Sequence, residues 1–209
     1  MIIAIGLYQG FTALDAIGPY EVLTYLPDAE VVICAEESGV IDDHNGLVHL
    51  SVDKTYADVP RPDVLLVPGG PAAGQYARDN HPIVDWIRDA HPHTTWTTSV
   101  CTGALLLGAA GLLDGLPATT HWASYDELAS YGARPTEQRV VTSGRIVTGA
   151  GVSAGIDLAL TLAAIIAGPE VAQTIQLAIE YDPHPPFDAG APSKAPKAIY
   201  DLAVAALED

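Results

Sequence analysis

The sequence predicts a doubly wound α/β fold: a mainly parallel sheet flanked by helices, flavodoxin-like in arrangement, with a small antiparallel hairpin. Three observations carry this expectation. Strand-like and helix-like segments alternate through the first 113 residues, the pattern of a parallel sheet with helical crossovers. Short unbroken apolar runs such as VLLV (64–67) read as strands buried on both faces. A chain of 209 residues with 49% hydrophobic and 17% charged residues is long and apolar enough to enclose one substantial core.

The elements follow in order. IIAIGL (2–7) reads as a first strand; it lacks the basic flank and small-residue cleavage site of a signal peptide. DAIGPYEVLTYL (15–26) is helical and AEVVICAE (29–36) is a strand. HNGLVHLSVDKTY opens on an Asn-Gly turn signal and then alternates, which predicts an antiparallel addition to the core. DVLLVPGG (63–70) and TTWTTSVC (94–101) are strands, with helices at HPIVDWIRDAH (81–91) and TGALLLGAAGLL (102–113). RVVTSGRIVTG (139–149) is a hairpin hinged at Ser143-Gly144, a second small addition to the parallel core. A long helical stretch covers about 153–180; its apolar part, GIDLALTLAAIIAG, is too short to span a bilayer and carries Asp157. The proline- and glycine-dense YDPHPPFDAGAPSKAP is a loop, and KAIYDLAVAALE a final helix. Residues 1–209 therefore read as a single domain, with 181–209 as a loop-and-helix appendage.

Twenty-six acidic residues against nine basic ones give a formal charge of -17, which repels nucleic-acid backbones and anionic membranes. Neither is an expected partner. The two cysteines, Cys34 and Cys101, are expected to be free thiols in a cytoplasmic chain. No histidine cluster has metal-ligand spacing; His91 and His93 stand without matching partners.

Chemistry is concentrated at strand ends, where open α/β sheets bind ligands. Cys101 sits where a strand pattern becomes a helix pattern, in SVCTG, with Ser99 two residues before it and Gly103 two after. That is the spacing of a nucleophile elbow, whose tight turn needs small neighbours. A helix beginning at Thr102 would favour a thiolate there. The same local pattern also suits a small buried cysteine. LLVPGGP ends the preceding core strand in Gly69-Gly70, whose amides could join that of Thr102 in an anion-stabilising pocket, or could belong to a simple turn. Asp15, in FTALDAIGPYEVL, is either a helix N-cap or, like Glu21 six residues on, a carboxyl available as a proton shuttle.

Taken together, LDAIGPYEVL, LLVPGGP, TSVCTGALLLGAAGLLDG and ATTHWA resemble the superfamily of the intracellular protease PfpI and the parkinsonism-associated deglycase, with its class I glutamine amidotransferase-like fold. The resemblance covers residues 1 to about 180. The LD..GP segment and the proline-rich tail are most similar to the isonitrile hydratase subgroup. The resemblance implies Cys101 as nucleophile, Asp15, four residues before Pro19, as its acidic partner, and Thr102 as a further catalytic residue. It implies an amide-donor role for Gly70, sets Glu21 aside, and places His121 of TTHW near the nucleophile in a supporting role. It also implies a homodimer, a small isocyanide as substrate and no cofactor or metal.

The reaction so implied is that of a hydro-lyase. Cys101 sulfur attacks the isocyanide carbon, Asp15 assists protonation, and water releases an N-substituted formamide from a bound thioimidate. Two other classes compete. One is a glyoxalase, deglycase or hydrolase built on the same elbow, where a glutamate usually stands at the position of Asp15. The other is a non-catalytic ligand or redox sensor, as in amidase-like domains fused to DNA-binding regulators; the chain ends at DLAVAALED, too short and acidic for such a fusion.

Overall fold

A computed structural model describes residues 1–208 and divides the chain into two compact units, Met1–Ile179 and the segment from Glu180 onward. In the first unit the strands are β1 (Ile2–Gly6), β2 (Glu30–Ala35), β3 (Gly39–Asp42), β4 (His49–Val52), β5 (Lys54–Thr55), β6 (Val64–Val67), β7 (Trp96–Val100), β8 (Pro117–Ala118), β9 (Arg134–Pro135), β10 (Val140–Ser143) and β11 (Ile146–Gly149). The helices are α1 (Ala13–Leu23), α2 (Ala73–Arg78), α3 (Pro82–Ala90), α4 (Gly103–Ala109), α5 (Tyr125–Ser130), α6 (Ala154–Ala167) and α7 (Pro169–Ala178). The second unit holds the proline-rich segment and α8 (Lys197–Glu208).

Seven strands form the central sheet in the order β10-β11-β7-β6-β1-β2-β5. All neighbours are parallel except β10, which pairs antiparallel with β11. The chain steps one way from β1 to β2 and the other way from β6 to β7. Because parallel crossovers are right-handed, their helices fall on opposite faces of the sheet. Accordingly α1 packs with α6 and α6 with α7, while α2, α3 and α5 pack with α4. The two central strands justify the reading of VLLV: every residue of β6 is buried, as are Ile3, Ala4 and Ile5 of β1.

The order of the strands reverses between β1 and β6, so the loops that follow these strands open a crevice at their carboxyl ends. The third loop of interest follows β7, whose register with β6 sets Ser99 opposite Val67. Asp15, Gly69, Gly70, Cys101 and Thr102 lie beyond these three strand ends.

The expected hairpin turns at Ser143-Gly144, with Gly144 at φ 59°, but it is not an addition to the core. Its second strand, β11, is an internal strand paired with β7, and Val147 is fully buried. The antiparallel pair near the Asn-Gly turn is β3 with β4, and β3 lies ahead of the stretch in which alternation was visible. The long helix divides at Gly168, whose φ of 91° ends α6 before Pro169 starts α7. Among the described residues no helix is long and apolar enough to cross a membrane.

Candidate active site

Cys101 directly follows β7 with φ 56°, a left-handed conformation that a non-glycine residue adopts at a cost of roughly 1–2 kcal/mol. The turn is held on both sides. The Cys101 N–H is shared between the carbonyls of Gly149 (3.1 Å) and Ala150 (2.9 Å), and its own carbonyl accepts from Thr120 Oγ1 at 2.8 Å. Gly103 is required by space, since a Cβ there would lie 2.3 Å from the Val67 carbonyl oxygen. Strain maintained by such surroundings is typical of functional turns.

Asp15 stands in the first turn of α1 and is fully buried. It is not the N-cap. That position belongs to Thr12, and Asp15 instead turns its carboxylate inward, where Oδ2 accepts the Gly69 N–H at 2.9 Å. Oδ1 is buried without a hydrogen-bond partner among the described residues. Burial pushes this carboxyl up from 3.8 to about 7, against the pull of the Gly69 N–H and the Cys101 thiol. At neutral pH the group is divided between acid and base.

Burial, followed by the charge of Asp15, pushes the Cys101 thiol up to about 12. The backbone N–H groups of Thr102 and Val152 and the Thr102 hydroxyl oppose this and do not outweigh it. Burial and the Asp15 carboxylate thus act against the thiolate that the start of a helix favours. Cys101 is 5% exposed, and desolvation and a neighbouring carboxylate dominate the two amides. Cys101 and Asp15 are a pair that act on each other's protonation.

Thr102 carries the second strand end. Its Oγ1 donates to the Gly70 carbonyl and accepts from the Gly70 N–H, both at 2.9 Å. The diglycine thus meets the elbow at close range, and a Cβ at Gly69 would lie 2.5 Å from Thr102 N and 2.9 Å from Asp15 Oδ2. The Gly69 and Gly70 amides are both engaged by side chains of the site. They hold Asp15 and Thr102, and the amides directed at the sulfur are those of Thr102 and Val152.

His121 accepts the Ala123 N–H on Nδ1 at 3.3 Å and so caps the short turn Trp122–Ser124; burial lowers its pKa. Its ring lies against Gly151, next to Val152. Glu21 is exposed on α1, apart from the buried face that carries Asp15. His91 is occupied with Thr97 Oγ1 at 2.8 Å. Both cysteines are free, and Cys34 is buried in β2 with its thiol directed at the Ile5 carbonyl. Sequence reasoning missed Val152, because a main-chain donor has no side-chain signature.

A strained cysteine elbow on a doubly wound sheet, facing a buried carboxyl from the first turn of α1, defines a cysteine-centred α/β protein of the kind that places its site at the topological switch. The chain belongs to the DJ-1/PfpI family, whose model matches residues 1–165. Among curated relatives, an isonitrile hydratase from Pseudomonas putida is 46% identical over 197 residues, 94% of this chain and 86% of that protein. The deglycase PfpI of Pyrococcus furiosus is 29% identical over 140 residues, 66% of this chain and 82% of that protein. A solved THiJ/PfpI family structure from Pseudomonas syringae superposes with a TM-score of 0.94 at 36% identity, covering 99% of this chain and 86% of that one.

Proposed function

We propose that the protein is an isonitrile hydratase that converts an isocyanide to an N-substituted formamide through a covalent thioimidate on Cys101. The observation that carries this reading is the buried Asp15–Cys101 pair, found in a chain 46% identical to an isonitrile hydratase across 94% of its length. An isocyanide carbon must receive both a nucleophile and a proton. A thiol beside a carboxylate that titrates near neutrality provides both from one pair of groups.

The Asp15 carboxylate takes the proton of the Cys101 thiol as the sulfur attacks the terminal carbon of R–NC, and the new C–S bond forms. Asp15 returns that proton to the carbon, leaving the thioimidate Cys–S–CH=N–R and an ionised carboxylate. Asp15 then takes a proton from water, whose oxygen bonds to the same carbon, and passes it to nitrogen. Collapse of the tetrahedral intermediate breaks the C–S bond, forms the formyl carbonyl and returns the hydroxyl proton to sulfur. Thr102 and Val152 offer their N–H groups to the sulfur while it carries charge. A small-molecule substrate, a homodimer and a cytoplasmic setting accompany this reading, with no cofactor assigned to any step.

Incubation with an alkyl isocyanide, followed by NMR, tests it. Formamide should accumulate with the parent protein and be absent with Cys101→Ala, and a quenched reaction should show the thioimidate adduct by intact mass. Formamide production by Cys101→Ala at the parent rate refutes the mechanism. Conversion of methylglyoxal without any isocyanide turnover supports the deglycase class in its place.

A further inference from the structure

The carboxyl that the site depends on is held by a single N–H, and that N–H belongs to a peptide unit with a second anchor. The Pro68–Gly69 peptide presents the Gly69 N–H to Asp15 Oδ2 at 2.9 Å and, from its opposite edge, the Pro68 carbonyl to the Tyr8 hydroxyl at 3.0 Å. Proline fixes φ at position 68, and Gly69 has no side chain to limit its own rotation. The two hydrogen bonds hold the opposite edges of this peptide plane, while the Thr12 N–H on the Gly69 carbonyl at 2.8 Å fixes the next one.

We propose that Tyr8 is a positioning residue for Asp15: its hydroxyl clamps the Pro68 carbonyl and thereby aims and polarises the Gly69 N–H that holds the carboxylate. Donation to a carbonyl oxygen withdraws electron density from the same amide and makes its N–H a stronger donor. Tyr8 is suited to the task. It is 2% exposed, lies just beyond the end of β1, and is kept in register by an edge-on contact with Tyr76 at 5.4 Å. The groups facing its hydroxyl are Asp15 on α1, Cys101 at the elbow, Tyr56 after β5 and Tyr76 on α2. With burial, these keep the phenol protonated, so it serves as a donor throughout the working pH range. Asp15 is itself faced by Gly69 and Cys101.

The inference rests on the Asp15–Cys101 reading of the site but is tested without substrate. The carboxyl carbon of Asp15, followed by 13C NMR in aspartate-labelled protein and assigned by its loss in Asp15→Asn, reports the titration directly. Tyr8→Phe should move the Asp15 midpoint upward by ~0.3–1 pH unit, a two- to tenfold rise in proton affinity. Thr98→Val serves as the control: it removes a comparable buried hydroxyl, which donates to the Leu65 carbonyl at 3.0 Å, and should leave the midpoint in place. Ring-fluorinated tyrosine at position 8 makes the phenol a stronger donor and should move the midpoint downward, which keeps the test open should Tyr8→Phe fold poorly. A midpoint that responds to neither change, or equally to Thr98→Val, overturns the proposal and leaves Tyr8 a packing residue. Where isocyanide turnover is present, the pH profile of kcat/KM should move with the midpoint. Absence of turnover with the NMR shift intact refutes the hydratase reading alone.

Discussion

Gly69→Ala puts the arrangement of the site under the most direct stress. An added methyl would lie 2.5 Å from Thr102 N, 2.6 Å from Thr102 Oγ1 and 2.9 Å from Asp15 Oδ2. Ordinary contact begins at 3.4 Å, so the diglycine and the elbow must part by about 0.9 Å. The nearest atom is main chain, at a turn already pinned by Gly149, Ala150 and Thr120, and cannot rotate away as a side-chain tip would. Overpacking of this kind costs ~1–3 kcal/mol, offset by ~0.4–1 kcal/mol from the reduced freedom of the unfolded chain. For a chain of this size the net change lowers Tm by no more than about 10 °C. The effect on turnover is larger, because a misplacement of ~1 Å at reacting groups costs ~100-fold. The assay is kcat/KM for isocyanide hydration beside a thermal melt. A Gly69→Ala protein that retains kcat/KM within about threefold of the parent would refute the placement of Asp15 and Thr102 as the parts that must stay in register.

Two further outcomes are expected. Between pH 3.8 and about 7 the folded chain keeps a proton on Asp15 that the unfolded chain has released, so stability falls as pH rises through that window. Asp15→Asn should therefore be more stable than the parent at pH 8, by an amount on the order of 4 kcal/mol at most, with the advantage fading on acidification toward pH 4; denaturant melts at both pH values measure it, and an advantage independent of pH contradicts the raised titration. Thr102→Val leaves the N–H of Gly70 unpaired, and its carbonyl with the Ala73 N–H alone, and should destabilise by ~1–3 kcal/mol with a loss of turnover, whereas Thr102→Ser, which keeps the hydroxyl, should recover most of both; equal behaviour of the two variants in melts and assays tells against the role assigned to the hydroxyl.

Much of this architecture is legible in the residues because each strand of the core announces itself. VLLV has the length and composition of a strand buried on both faces, and small residues on either side of Cys101 foretell the crowding that Gly103 meets against Val67. What the residues do not disclose is pairing at a distance. RVVTSGRIVTG reads as a hairpin from its turn, yet nothing local says that β11 also joins β7 as an inner strand. The short helices α2 and α5, of six residues each, are below the length at which periodicity is informative. Gly168-Pro169 is a helix-break signal, but helix-forming residues on both sides carry the helical pattern across it. At the site, spacing pointed to Cys101 and the diglycine, the family resemblance pointed to Asp15 and Thr102, and the structure gathers them. The partner of each amide, and the balance that keeps Cys101 a thiol, depend on burial, which is a property of the folded arrangement.

The share of the site contributed by Val152 has a consequence for how such proteins diverge. Its contribution to Cys101 is a main-chain N–H, which every amino acid except proline supplies in the same place. A substitution at position 152 by any residue but proline thus keeps the donor. Two lineages could differ at that residue and still share the same electrostatic constituent, one that a comparison of side chains would never count.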